Sequence, residues 1–414
     1  MPWQPGEPAL RALGDGLFLP DYGNRSLVGF SNFLLQHFGE TPLHEPFHVG
    51  DSFAWVGKRK KVVVFLLDSL GFSNLQRICA CSPYAAQLVE KAVCWKLSTV
   101  FPSTTTAALT SFFTGRYPCE HGMLGYILFL KKFSSYVNMI DFSPPGLPRD
   151  ILLGTGLNPT RFLPVPTLFE ILGKKGVKCW SVTSNLFKQS GLSLMHHKGS
   201  AIRGYSDMTE MAFCVQRLLQ REKGPLFVTV YWGLLDSLAH HYGPDSEEFA
   251  KEGELLFRLF HEVLFSNKEI PQPEDTLFFI TADHGQIATS WKDESWFVYQ
   301  DPLISEHLEG LPSGEPRAVY LSPRDAEAFQ RDFSAQVGNR FRWLSRTQAL
   351  QHGLFGAAES ASPLFFERVP PLVGLAKGNY SFNFKYSGNE RSLKGKHGSV
   401  TTGELEIPLL MIAP

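Results

Sequence analysis

Charge imbalance, cysteine and long apolar runs are all scarce in this 414-residue sequence, and each shortage excludes a class of function. Lys and Arg number 39 against 40 Asp and Glu, a formal net charge of -1. Neither nucleic acid nor an acidic membrane surface is therefore expected as a bulk partner, and any phosphate recognition must be local. No stretch reaches the ~18 apolar residues of a spanning helix, and the first residues lack a basic segment followed by an apolar one. The expectation is a cytoplasmic protein with no membrane partner. The six cysteines, Cys79, Cys81, Cys94, Cys119, Cys179 and Cys214, have neither zinc-site spacing nor the density of a disulfide scaffold, so they read as mostly free thiols. Internal repeats, low-complexity tracts and a Gly-rich dinucleotide loop are missing too, which argues against a Rossmann-type cofactor site.

Apolar residues make up 43% and charged residues 19%, an ordinary globular composition, and 34 Phe point to a deep aromatic core. The length suits two or three domains, or one large α/β domain with an inserted lobe. Residues 1–55 read as a lead-in, with Asn32–Phe38 helix-like. Buried strands are expected at Lys61–Leu67 (KVVVFLL), Trp95–Val100, Val177–Thr183, Pro225–Trp232 and Asp275–Thr281, with Ile407–Ala413 closing the sheet. Between them lie helical stretches at Leu75–Ala92, Ala107–Phe113, Thr167–Lys175, Met208–Arg221 and Glu247–Phe265, the alternation of a doubly wound α/β sheet. Tyr126–Phe142 reads as a hairpin turning near Lys131-Lys132 or Ser134-Ser135. The regular alternation weakens from Gln286 to about Lys394, where a helix at Asp325–Gln336 and an aromatic segment at Gly378–Tyr386 suggest a lobe over the strand ends.

Several of these strands end in groups that the fold itself does not need. Asp68 follows the first strand, Asp236 and His240 follow the fourth at helical spacing, and Asp283-His284 follow the fifth; His397 lies in a later Gly-flanked loop. An open α/β sheet binds its ligands at the carboxyl ends of its strands. Asp four residues before His places both side chains on one helical face, where they can share a metal. Taken singly, each is also a turn or capping residue. Together, Asp68, Asp236, Asp283, His240, His284 and His397 supply ligands for two four-coordinate sites of mixed oxygen and nitrogen donors. That donor set suits zinc first, with manganese, magnesium or iron as alternatives. Two divalent ions roughly 4 Å apart can activate a hydroxyl and stabilise an in-line displacement at phosphorus. Ser103, Thr104, Thr105 and Thr106, just before a small-residue helix, supply hydroxyls that can cap the helix or act as nucleophile.

The order DSLG, PSTT before TGRYPCEHG, DSLAHHYGP, ADHG and KHGS resembles the nucleotide pyrophosphatase/phosphodiesterase (type I phosphodiesterase) family of the alkaline phosphatase superfamily, from about residue 60 to the C-terminus. The resemblance implies a three-layer α/β sandwich with a mostly parallel central sheet and an inserted smaller lobe. On that basis residues 56–414 form the catalytic domain, with a cap or lobe within 286–394. It implies one metal on Asp236, His240 and His397 and a second on Asp68, Thr105, Asp283 and His284. Aligning Pro102 and Thr114-Gly115 with the family pattern puts the nucleophile on Thr105, with Thr104 as the alternative. His121 matches the family's HG and reads as structural. The chain departs from the family at Ala108, which stands where relatives carry an Asn that helps hold a phosphoryl oxygen; backbone N–H groups, Lys394 or Lys396 are the candidate substitutes.

The function implied is a two-metal hydrolase of phosphodiester or nucleotide pyrophosphate bonds in small-molecule substrates, working through a phospho-threonine. A phosphomonoesterase or phosphonate hydrolase with the same metals is the near alternative, and a catalytically silent binding protein of the same fold the distant one. A sulfatase is disfavoured, because no C-x-P-x-R or S-x-P-x-R segment occurs.

Overall fold

The structure, a computed structural model, describes residues 6–50, 56, 59–265 and 275–413. Lys61–Leu67 is buried along its whole length and forms the middle strand of a seven-stranded sheet. The strand order is 93–98, 406–412, 276–281, 61–67, 226–232, 178–184, 201–205. Glu406–Ile412 runs antiparallel to both its neighbours, and the other strands share one direction. The last strand thus lies inside the sheet, although its place at the end of the chain suggests an edge. Helices cover both faces, and strands buried on both sides need the continuous Val, Leu, Ile and Phe runs seen in the sequence.

One expected helix is two. Leu75–Ala92 is interrupted at Ser82-Pro83, giving helices Phe72–Cys81 and Pro83–Lys91. Proline has no N–H to continue the first helix but fits the first turn of the second, which the Ser82 hydroxyl caps by accepting from the Ala85 amide at 3.3 Å. Glu247–Leu259 continues as a wider π-helical turn over Phe260–Phe265.

The region of weak alternation builds most of a second, six-stranded antiparallel sheet. Its order is 341–345, 372–376, 318–321, 313–314, 127–130, 135–138. Two of its strands come from the Ile127–Asn138 hairpin, outside residues 286–394, and that hairpin turns through Lys131–Phe133 and Ser134. On one face, Phe329 and Phe333 of helix Ala326–Val337 pack with Phe297, Phe341, Phe382 and Phe384. Six of the 34 Phe are thereby used, and a larger share packs in the core around the seven-stranded sheet. Among the described residues no helix is long and apolar enough to cross a membrane.

Candidate active site

Asp68 leaves the middle strand, and the next residue, Ser69, takes a left-handed conformation with φ 67°. That turn aims the Ser69 amide at Asp283 Oδ1, 3.1 Å away across the neighbouring strand end. The two loops approach at glycines: a Cβ on Gly71 would lie 3.1 Å from the Gly285 Cα, and a Cβ on Gly285 would lie 2.2 Å from the Gly403 carbonyl oxygen of a third segment. The ADHG glycine is therefore required by contact.

Two clusters of ligand atoms form here, each within a 4.8 Å span: Asp68, Asp283 and His284 in one, Asp236, His240 and His397 in the other. In the first, His284 Nε2 lies 3.5 Å from both Asp68 Oδ1 and Asp283 Oδ2, and 3.2 Å from Thr105 Oγ1. In the second, Asp236 Oδ1 lies 3.3 Å from His240 Nε2 and 3.7 Å from His397 Nε2. The His284 and His397 rings stack with centroids 3.9 Å apart, so the clusters adjoin.

All three histidines are oriented alike. Nδ1 of His284 faces the Gly285 carbonyl at 3.1 Å, that of His240 the Gly395 carbonyl at 2.8 Å, and that of His397 the Ser103 carbonyl at 2.9 Å. A carbonyl only accepts, so Nδ1 of His284 and of His397 carries the hydrogen, and the Nε2 atoms of all three rings face their clusters. Backbone oxygens commonly fix metal-ligating histidines in this way. Three carboxylate oxygens, Asp68 Oδ1, Asp236 Oδ1 and Asp283 Oδ2, are buried with no hydrogen-bond partner. Burial, followed by the neighbouring Asp283 and Asp236, pushes the Asp68 carboxyl well above the usual carboxylate range. Burial raises Asp236 too, against the pull of His240 and His284. His397 is held well below the usual imidazole range by burial and by His284 and His240. Histidine nitrogens and buried carboxyl oxygens converging in this way fit two divalent metal ions, which would take the place of the protons that burial favours on Asp68 and Asp236.

Thr105 is the first residue of helix Thr105–Thr114, and no side chain caps that helix. Its first-turn amides thus have no side-chain cap, and the positive end of the helix dipole lies where Thr105 meets His284, a setting that favours an anion. The other hydroxyls have separate partners. Ser103 Oγ donates to the Ser399 carbonyl at 2.6 Å, Thr106 Oγ1 donates to the Gly125 carbonyl at 3.0 Å, and the Thr104 hydroxyl bonds the Glu315 carboxyl. Lys396 is buried away from the clusters, its ammonium donating to Glu294 at 2.6 Å, Asn383 at 2.8 Å and Ser381 at 3.0 Å, so all three protons are taken. Lys394 is exposed and steadies His240 through the backbone, its amide donating to the His240 carbonyl at 2.9 Å. Ala108 is buried in the helix and supplies no polar group. His121 is buried behind the helix, accepting from the Met123 amide at Nδ1 and donating from Nε2 to Ser111 Oγ.

Three further residues belong to the site and escaped the sequence reading. Tyr231 donates its phenol to Asp68 Oδ2 in a short hydrogen bond, leaving Oδ1 free. The Gln286 amide touches Ser69 Oγ at 3.0 Å and His240 Nδ1 at 2.8 Å, so it bridges the loops of the two clusters. Arg149 lines the cleft of about 240 Å³ that opens beside Thr105, together with Leu109, Phe113, Ile140 and Phe187. Their only sequence signals are position: Tyr231 five residues before Asp236, and Gln286 directly after ADHG.

A mostly parallel sheet with two metal-type clusters and a helix-terminal hydroxyl at its strand ends defines the alkaline-phosphatase-like class of α/β proteins, and solved structures of that class superpose on the chain. Murine ectonucleotide pyrophosphatase/phosphodiesterase 5 is 16% identical with a TM-score of 0.60, the match covering 86% of this chain and 88% of that one. Phosphonoacetate hydrolase from Sinorhizobium meliloti 1021, in complex with phosphonoformate, is 17% identical with a TM-score of 0.62, covering 85% and 90%. An inactive threonine-to-alanine variant of the murine protein in complex with AMP is 15% identical, with a TM-score of 0.60 and coverage of 85% and 87%. No curated protein matches by sequence. The family profile described as type I phosphodiesterase / nucleotide pyrophosphatase matches residues 62–400. The chain belongs to that family.

Proposed function

We propose that the protein is a two-metal phosphoester hydrolase that cleaves phosphodiester or nucleotide pyrophosphate bonds through a covalent phospho-Thr105. The observation that carries this reading is the placement of the Thr105 hydroxyl at a helix N-terminus, 3.2 Å from His284 Nε2 and beside two clusters of converging Asp and His ligand atoms. Asp68, Asp283, His284 and Thr105 would hold one ion; Asp236, His240 and His397 would hold the other. Zinc suits the donor set best, with manganese or magnesium as alternatives. Bound there, the ions would lower the pKa of a coordinated hydroxyl and neutralise charge on phosphorus. Thr105 Oγ attacks phosphorus, its proton leaves to solvent, and the leaving group departs opposite; water then attacks phosphorus and frees the threonine. The first-turn amides of Thr105–Thr114 stand in for the amide side chain that Ala108 lacks, with Arg149 at the cleft mouth as a second anion contact.

Two comparisons support the reading in different ways. Replacing a threonine makes the murine structural relative inactive, and that variant holds AMP. The bacterial relative is a phosphonate hydrolase, which favours cleavage of phosphonates as a second reading. The six unpaired cysteines suit a reducing, cytoplasmic setting. The test is turnover of a chromogenic phosphodiester, a phosphomonoester and phosphonoacetate by zinc- or manganese-loaded protein, with Thr105→Ala beside it. Full activity of Thr105→Ala on every substrate would sink the phospho-threonine route.

A further inference from the structure

A second cavity, of about 450 Å³, opens along the six-stranded sheet and shares no lining residue with the cleft beside Thr105. Aromatic residues Trp296, Phe382 and Phe384 form part of its wall, and its volume is in the range of small-molecule sites. Glu315, in the turn between strands Ser313–Gly314 and Ala318–Leu321, also lines it and is only 6% exposed. The Glu315 carboxyl accepts from the Thr104 hydroxyl and the Tyr126 amide, yet Oε1 is buried with no partner. An orphaned acceptor in an aromatic-walled cavity calls for a donor brought by a ligand.

The surrounding charges narrow that ligand. Lys385 and Lys396 already place their ammonium groups 5.5 and 6.0 Å from the Trp296 ring centroid, so a cation would meet like charge there. An anion would meet Glu390, which has a buried carboxyl oxygen without a partner, and Asp141, while Arg391 on the same lining is exposed and Glu315, its carboxyl pushed up to about 8 by burial, offers no countercharge. A neutral, flat ring with an N–H donor avoids both conflicts and uses the aromatic wall.

We propose that this cavity is a second small-molecule site, separate from the hydrolytic centre, that takes a neutral planar heteroaromatic group stacked on its aromatic wall with an N–H directed at Glu315 Oε1. Its occupant abuts the cap of the Thr105 helix through Thr104. It also adjoins the cleft through residues 138–149, whose Arg149 lines the cleft and pairs at 2.6 Å with Asp141 of the cavity.

Calorimetric titration of the metal-loaded full chain with adenosine, which carries an amino donor and no phosphate, tests this. N6,N6-dimethyladenosine, flat but without that donor, is the matched probe. Saturable adenosine binding is expected, weakened at least about tenfold by dimethylation, by Trp296→Ala and by Glu315→Leu, and unchanged by Phe187→Ala in the cleft. Should Glu315→Leu fail to fold, the dimethylated probe and Trp296→Ala carry the result. No saturable binding, indifference to dimethylation, or binding lost only in Phe187→Ala would overturn the proposal. The readout is heat of binding, so failure of the phospho-threonine route would leave it untouched.

Discussion

The Thr105 hydroxyl stands 3.2 Å from His284 Nε2, the nitrogen whose lone pair also faces Asp68 Oδ1 and Asp283 Oδ2. Thr104, one residue earlier, turns its hydroxyl the other way, onto Glu315. The adjacent threonines should therefore separate cleanly on mutation. Thr105→Ala is expected to lower kcat at least about 1,000-fold with the protein still folded, because removal of a nucleophile leaves only binding and electrostatic contributions. Thr104→Ala should keep activity within about tenfold, since one neutral hydrogen bond contributes only about 1 kcal/mol. Steady-state kinetics on a chromogenic phosphodiester measures both, and equal losses would refute the division of labour.

Metal binding should compete with protons at the buried aspartates. Burial and mutual repulsion raise Asp68, and burial raises Asp236, so in metal-free protein these groups keep protons that the unfolded chain has already released. For carboxyls raised on folding, the associated stability is present at low pH and is lost as pH rises through the folded-state values. Bound metal would remove that loss. The difference in Tm between metal-loaded and chelator-treated protein is thus expected to be larger at about pH 8 than at about pH 5. Scanning fluorimetry at the two pH values reads it, and an equal or reversed difference would count against metal at these clusters.

How much of this could be read from sequence depends on whether a signal is local. KVVVFLL followed by Asp68, and DTLFFIT followed by Asp283-His284, combine a fully buried strand with a polar end, and period and composition suffice to place both. Pro83 carried its own signal for the break at Ser82, because proline ends one helix and starts another. The second sheet was harder. Its strands are only 2–5 residues long, and Gly314 pairs with Ile127 across nearly two hundred residues, a register that no local pattern encodes. Tyr231, Gln286 and Glu315 act through tertiary contacts, so a strand-end tyrosine and a loop glutamine look unexceptional until the fold brings Asp68 and His240 beside them.

Arg317 and Glu404 form an ion pair at 2.7 Å with both side chains fully buried. Glu404 also accepts from the Ser399 amide at 2.9 Å and from the Thr401 hydroxyl at 2.7 Å, which ties down the chain just after His397. Arg317→Met would strand a buried carboxylate and is expected to destabilise the protein by about 3–5 kcal/mol in urea unfolding. If this pair also positions His397, the surviving folded protein should retain fewer metal equivalents after dialysis than wild type. Unchanged metal content would limit the pair to a purely structural role.

His121 gives the opposite acid response from the buried aspartates. Burial pulls its folded-state pKa down to about 3, and burial pulls His197 down to about 4. An unfolded histidine takes up its proton near pH 6.5, so below that point the unfolded state gains protons that the folded state refuses. Stability is therefore lost as pH falls from about 6.5 toward the folded-state values, by up to about 1.4 kcal/mol per pH unit for each histidine. In His121→Asn the amide oxygen takes the place of Nδ1 and can accept from the Met123 amide, whereas the bond to Ser111 is lost. The variant should be less stable than wild type near neutral pH, with the gap narrowing by about one such increment per unit as the pH is lowered from about 6 to about 4.5. Urea midpoints of chelator-treated proteins across that range test this, since chelation keeps metal release out of the comparison. A gap that stays constant with pH would show that His121 is protonated in the folded state as readily as in the unfolded chain.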